Sequence, residues 1–122
     1  MNDHETTVAQ LKSLLAAFVS ERQWDQFHAP KNLAMSLAIE AAELMEHFQW
    51  IGVDASREIV HDPAHREAIA DEMADCLSYI LALANTADID LAAALQAKMK
   101  KNEQKYPADA SRGRYQRPPR DA

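Results

Sequence analysis

Only two glycines occur among the 122 residues. A hairpin-rich β fold needs glycine at its tight turns, so this scarcity turns the reading towards helices. The single cysteine, Cys76, excludes an internal disulfide and agrees with a reducing compartment; it is expected to pack as a small apolar group. No apolar run approaches the roughly 18 residues that span a bilayer, and the opening MNDHETTVAQ lacks the basic and apolar regions of a signal peptide. A cytoplasmic protein with no membrane partner is expected. Basic residues are scarce as well: residues 1–97 hold five Lys or Arg against sixteen Asp or Glu. Such a body has no broad basic face for a nucleic-acid polymer. Residues 98–122 reverse the balance, with eight basic residues against three acidic ones. A basic segment beside an acidic body can hold a small polyanion between itself and bound metal, although a lysine-rich helix end and a solvated tail account for the same charges.

With 48% hydrophobic and 26% charged residues the chain has a globular composition, and its length suits one domain. Four helices are expected from apolar spacing near 3.6 residues. The first runs from about Thr7 to Arg22, with Val8, Leu11, Leu14, Leu15, Phe18 and Val19 on its apolar side. The second starts at Pro30, a residue suited to a first helical turn, and reaches about Trp50. After Gly52 and a possible short turn in SREIV, Asp62 and Pro63 read as cap and first position of a third helix ending near Ala87. The fourth spans about Asp90 to Lys105, with lysines in its last turn, and Pro107 stops it. Short connections imply an all-α antiparallel four-helix bundle over residues 1–106, followed by an irregular basic tail over 107–122.

Two acids interrupt the apolar seams. Glu40 shares a face with Leu33, Leu37, Leu44, Phe48 and Ile51, and Glu72 shares one with Ile69, Cys76, Ile80 and Leu83. Glu43 and Asp75 follow them at i+3 and are therefore neighbours on the same helices. A buried carboxylate must neutralise, pair with a cation or bind a metal. The middle of the chain offers only Lys31, Arg57 and Arg66, too few for four acids. If the two helices face each other, the four carboxylates form an oxygen-rich set that suits Mg²⁺, with Mn²⁺ as the alternative, over zinc. A di-iron bundle would require Glu-x-x-His, and His47 follows Glu43 by four. A lone E-x-x-E is commonly a solvated face; two copies, each with a member in an apolar seam, favour a metal site. Trp50 lies seven beyond Glu43, and Tyr79 lies four beyond Asp75, so both stand on the acids' side of their helices. Aromatics beside such a site can stack a nucleobase, or can simply fill the core.

E-x-x-E followed by E-x-x-D resembles the all-α nucleoside triphosphate pyrophosphohydrolases of the MazG-like superfamily, and within it the dCTP pyrophosphatase group. The resemblance is carried by ERQWDQFHAPKNL (Glu21 to Leu33), EAAELMEHFQW (Glu40 to Trp50), DEMADCLSYILALA (Asp71 to Ala84) and KMKKNEQKYP (Lys98 to Pro107). It implies that Glu40, Glu43, Glu72 and Asp75 hold Mg²⁺. Trp24, Asp25, Gln26, Phe27 and His28, with Trp50 and Tyr79, match positions that hold the nucleoside. Lys98, Asn102, Lys105 and Tyr106 match a segment that faces the phosphates, often across a subunit boundary. Leu15 stands where better-known dCTP-hydrolysing members have a histidine, and 28 residues separate Glu43 from Glu72, near the long end of the family's range.

The expected function is Mg²⁺-dependent cleavage of a (deoxy)nucleoside triphosphate, dCTP-like, to monophosphate and pyrophosphate, with Glu43 orienting or deprotonating the attacking water. A homo-oligomer is expected, a tetramer before a dimer, because four short helices carry more apolar surface than one small bundle hides. The alternatives are a helical interaction module with structural acid pairs, and a dUTPase-like member of the same superfamily.

Overall fold

The computed structural model describes residues 1–116, and these contain helices and no strand. By internal packing the chain forms two compact units, Met1–Asp88 and Ile89–Ala122. The domain expected over 1–106 therefore takes in the first unit and the long helix of the second.

Helix α1 (Val8–Glu21) begins at a capping box. Thr7 accepts a hydrogen bond from the Gln10 backbone at 3.1 Å, and Gln10 Oε1 accepts one from the Thr7 backbone at 2.7 Å. It ends in a Schellman turn. Gln23 takes a left-handed φ of 54°, and the Trp24 and Gln23 N–H groups reach back to Val19 O and Ser20 O, both at 3.0 Å. That turn seats Trp24 against Phe18, edge to face with centroids 5.7 Å apart. A 3-10 turn (Asp25–Phe27) follows.

Helix α2 (Pro30–Glu46) starts at Pro30 as expected and stops four residues short of Trp50. The backbone bonds after it tighten to i−3, with His47 N to Leu44 O at 3.3 Å and Phe48 N to Met45 O at 2.9 Å, which ends the α-helical ladder. Helix α3 (Val53–Ile59) enlarges the short turn expected in SREIV, and Gly52 serves as its N-cap. Helix α4 (Pro63–Ala87) covers the expected span. The Asp62 side chain makes no cap bond to the backbone, however, and engages His65 Nδ1. Asp88, in the left-handed region at φ 54°, closes α4.

Within this unit α4 packs against both α2 and α1. The core is small: Val19 from α1, Leu33 from α2, and Ile69, Leu81, Ala82 and Ala84 from α4. Met35, Ile39 and Met45 on α2, and Met73, Leu77 and Ile80 on α4, stay exposed.

The second unit holds α5 (Leu91–Lys105), capped by Asp90 through a 2.9 Å bond to Ala93 N, and α6 (Ala108–Ser111). The single turn of α6 departs from the irregular tail expected after Tyr106; residues 117–122 of that tail lie outside the described residues. No single helix among the described residues is long and apolar enough to cross a membrane.

Candidate functional site

The α2–α4 contact brings Glu40, Glu43 and Glu72 together, with one carboxylate oxygen of each lying within 4.8 Å of the others. Glu40 and Glu72 are half-buried, and an oxygen of each, Glu40 Oε2 and Glu72 Oε2, is shielded from solvent with no hydrogen-bond partner among the described residues. A hydrogen bond with the Glu43 side chain, then burial, then the charges of Glu43 and Asp75 push the Glu40 carboxyl from 4.5 up to about 7. Burial first, and the Glu43 charge second, raise Glu72. Asp75 lies outside the 4.8 Å set, yet its charge acts on both Glu40 and Glu72. A set of carboxylates that repel one another, with oxygens lacking donors, is electrostatically incomplete without a cation. The residues therefore fit a hard divalent ion, and no thiol or imidazole belongs to the cluster.

Asp75 also lines a cavity of about 550 Å³ between α1 and α4. Its walls are Leu14, Leu15, Phe18 and Val19 from α1, Trp24 and His28 from the connection, and Ser78, Tyr79 and Ala82 from α4. The cavity is mainly apolar and aromatic, with the Asp75 carboxylate in its wall. Trp24 enters it because the Schellman turn folds the chain back over α1. A second cavity of about 510 Å³ shares Val19, His28 and Ala82 with the first and adds Ala16, Asp25, Asn85 and Thr86.

Of the residues anticipated for nucleoside binding, Trp24, His28 and Tyr79 thus line the aromatic cavity and Asp25 the adjoining one. Gln26 donates to the Gln23 carbonyl at 3.2 Å and Phe27 is 60% exposed; neither lines either of these two cavities. Trp50 is 87% exposed in the turns after α2 and lines neither of these cavities. Lys98, Asn102 and Lys105 are on α5, with Tyr106 as its C-cap and the Lys105 ammonium 5.3 Å from the Tyr106 ring centroid. Asn85 and Thr86 escaped the sequence reading. The available signal was their position ten and eleven residues beyond Asp75, on the side of α4 that carries Ser78, Tyr79 and Ala82.

Residues 35–117 match the MazG-like family. The chain belongs to that family. This MazG-like chain is 40% identical over 109 residues to the dCTP pyrophosphatase 1 of Rattus norvegicus, and 39% identical over 108 residues to that of Homo sapiens. These alignments cover 89% and 88% of the chain and 64% of each relative, so the chain spans less than two thirds of their length. Among solved structures, a pyrophosphatase from Archaeoglobus fulgidus superposes with a TM-score of 0.78 at 39% identity, covering 88% of this chain and 98% of that one.

Proposed function

We propose that the chain is a Mg²⁺-dependent nucleotide pyrophosphohydrolase that cleaves a (deoxy)nucleoside triphosphate, dCTP-like, between the α and β phosphates to give monophosphate and pyrophosphate. The observation that carries this reading is the cluster of Glu40, Glu43 and Glu72 together with Asp75, whose charge acts on Glu40 and Glu72 and which also lines an aromatic cavity. The names of the dCTP pyrophosphatase 1 relatives support it.

Glu40, Glu43, Glu72 and Asp75 would hold Mg²⁺, with Mn²⁺ as a substitute. When bound, such an ion neutralises phosphate oxygens and acidifies water. The chain's own residues do the rest. Glu43, on the turn of α2 next to Glu40, orients or deprotonates the water that attacks the α phosphorus. Trp24, Tyr79 and His28 line the cavity where the nucleoside would lie. Lys98, Asn102, Lys105 and Tyr106 are proposed to face the phosphates. Trp50, exposed on its own chain, would meet a base only across a subunit boundary.

Pyrophosphate release from a panel of the eight common NTPs and dNTPs tests the reaction. Release of orthophosphate in its place would overturn the mechanism. A thermal shift with Mg²⁺ and a non-hydrolysable nucleotide separates the enzyme from a helical interaction module, since only a ligand of the native state raises Tm.

Trp24→Ala is expected to weaken substrate binding by about 1–3 kcal/mol, the range for a lost stacking partner, seen chiefly as a raised KM. Trp24→Leu should restore packing without restoring KM. Full recovery by leucine would reduce Trp24 to a core residue.

The exposed Met35, Ile39 and Met45 on α2 and Met73, Leu77 and Ile80 on α4 favour a homo-oligomer, a tetramer before a dimer. Light scattering is expected to show that assembly at working concentration, and a fully active monomer would contradict it.

A further inference from the structure

At the C-terminal end of α1 a cation and two aromatic rings stand in series. The backbone N–H of Arg22 bonds to Val19 O at 3.3 Å, an i−3 contact that leaves the Phe18 carbonyl without its usual i−4 donor. The Arg22 side chain folds back to that carbonyl. Its Nη1 donates to Phe18 O at 3.0 Å and lies 3.6 Å from Glu21 Oε2. Held there, the guanidinium carbon sits 3.7 Å from the centroid of the Phe18 ring. Phe18 in turn meets Trp24 at 75°, with centroids 5.7 Å apart. Phe18 and Trp24 line the aromatic cavity, whereas Arg22 lines neither of the two cavities.

Burial alone does not fix either ring, since Phe18 and Trp24 are each 44% exposed. The Schellman turn fixes the backbone of Trp24, but the direction of its indole depends on the surface it rests against, and Phe18 supplies that surface. A planar cation over a ring face is attracted by the ring's quadrupole. Arginine suits this place because a directional hydrogen bond can hold its guanidinium while the same group stacks. The rings are thereby ordered on folding, before a ligand arrives, and binding need not immobilise them.

We propose that Arg22 is a positioning residue: acting through Phe18, it holds the Trp24 indole in the orientation that receives the ligand, without touching the ligand itself. This rests on the pyrophosphohydrolase reading, in which the aromatic cavity takes the nucleoside, and it adds a residue outside the cavity wall on which affinity depends. Because the contact orders the empty cavity, its loss acts on KM and leaves the chemical step alone.

Two measurements on Arg22→Gln and Arg22→Lys test it. Glutamine keeps a donor for the Phe18 carbonyl and removes the cation; lysine keeps a cation and loses the planar fork. In the free protein, time-resolved fluorescence anisotropy, read in a Trp50→Phe background where Trp24 is the sole indole, reports whether that ring is held. Arg22→Gln should enlarge the fast local component. With the nucleotide hydrolysed best in the panel of eight, Arg22→Gln should raise KM about two- to fivefold, the weight of a partly exposed cation–π contact, and keep kcat within about twofold. Arg22→Lys should recover part of both effects. A lowered Tm with anisotropy and KM unchanged would make Arg22 a helix cap alone and overturn the proposal. A freed indole with unchanged KM, or a loss carried by kcat, would overturn it as well. Those outcomes leave the pyrophosphohydrolase reading in place, whereas an unaltered chain that releases pyrophosphate from no nucleotide would overturn both.

Discussion

Glu72→Gln is expected to reduce kcat by about 10²–10³-fold or more, with the folded state as stable as before or slightly more so in the absence of metal. The loss follows from the charge stabilisation that a divalent ion provides in phosphoryl transfer, several kcal/mol at about 1.4 kcal/mol per tenfold. The unaltered stability follows from the site itself. Without a cation, Glu72 is raised by burial and by the Glu43 charge, so the carboxylate is a liability that a neutral amide removes. Glu40→Gln and Asp75→Asn should behave alike. Glu46, the last residue of α2 and exposed, belongs to no acidic group in the site and should tolerate Gln. Near-normal turnover of Glu72→Gln in excess Mg²⁺ would remove Glu72 from the metal site. A comparable loss in Glu46→Gln would mean that the wrong face of α2 had been chosen.

Removing the metal should make stability fall as pH rises. Glu40 titrates at about 7 in the folded chain against 4.5 as its ordinary value. Between those values the folded state keeps a proton that the unfolded state has lost, so raising the pH works against folding. The contribution is fully present below 4.5 and lost as the pH passes through about 7. Glu72 is raised too and acts in the same direction. Mg²⁺ favours the deprotonated carboxylates and opposes the trend, so the Tm difference between Mg²⁺ and EDTA samples should widen from about pH 5 to about pH 8. Glu40→Gln should flatten the metal-free profile and diminish the Mg²⁺ effect. A metal-free Tm that rises across this window, or a Mg²⁺ shift that does not grow with pH, would show that the cluster is not the cation site.

The helices were legible from local signals. Pro30, Pro63 and Asp90 mark the starts of α2, α4 and α5, and Pro107 follows the end of α5, because a missing N–H, a fixed φ or a capping carboxylate acts within one turn. The acids in the seams of α2 and α4 were legible for a similar reason, since helical periodicity alone puts Glu40 and Glu72 among apolar neighbours. The end of α2 was not. HFQW continues the apolar pattern, but the backbone there tightens into turns, and Trp50 swings out to 87% exposure.

The sequence by itself determined which residues could serve: two acid pairs at i and i+3, aromatics near them in register, and a basic segment at the far end. Only the tertiary structure decided which of them meet. It brings Glu40, Glu43 and Glu72 within 4.8 Å, turns Trp24 onto Phe18 beside the cavity, leaves Trp50 outside, and joins Asp25 to Asn85 and Thr86 around a second cavity. Periodicity specifies the direction of a side chain around its own helix axis. Which helix lies opposite, and how the connection at Trp24 folds back, depend on packing between segments tens of residues apart, which no local pattern encodes.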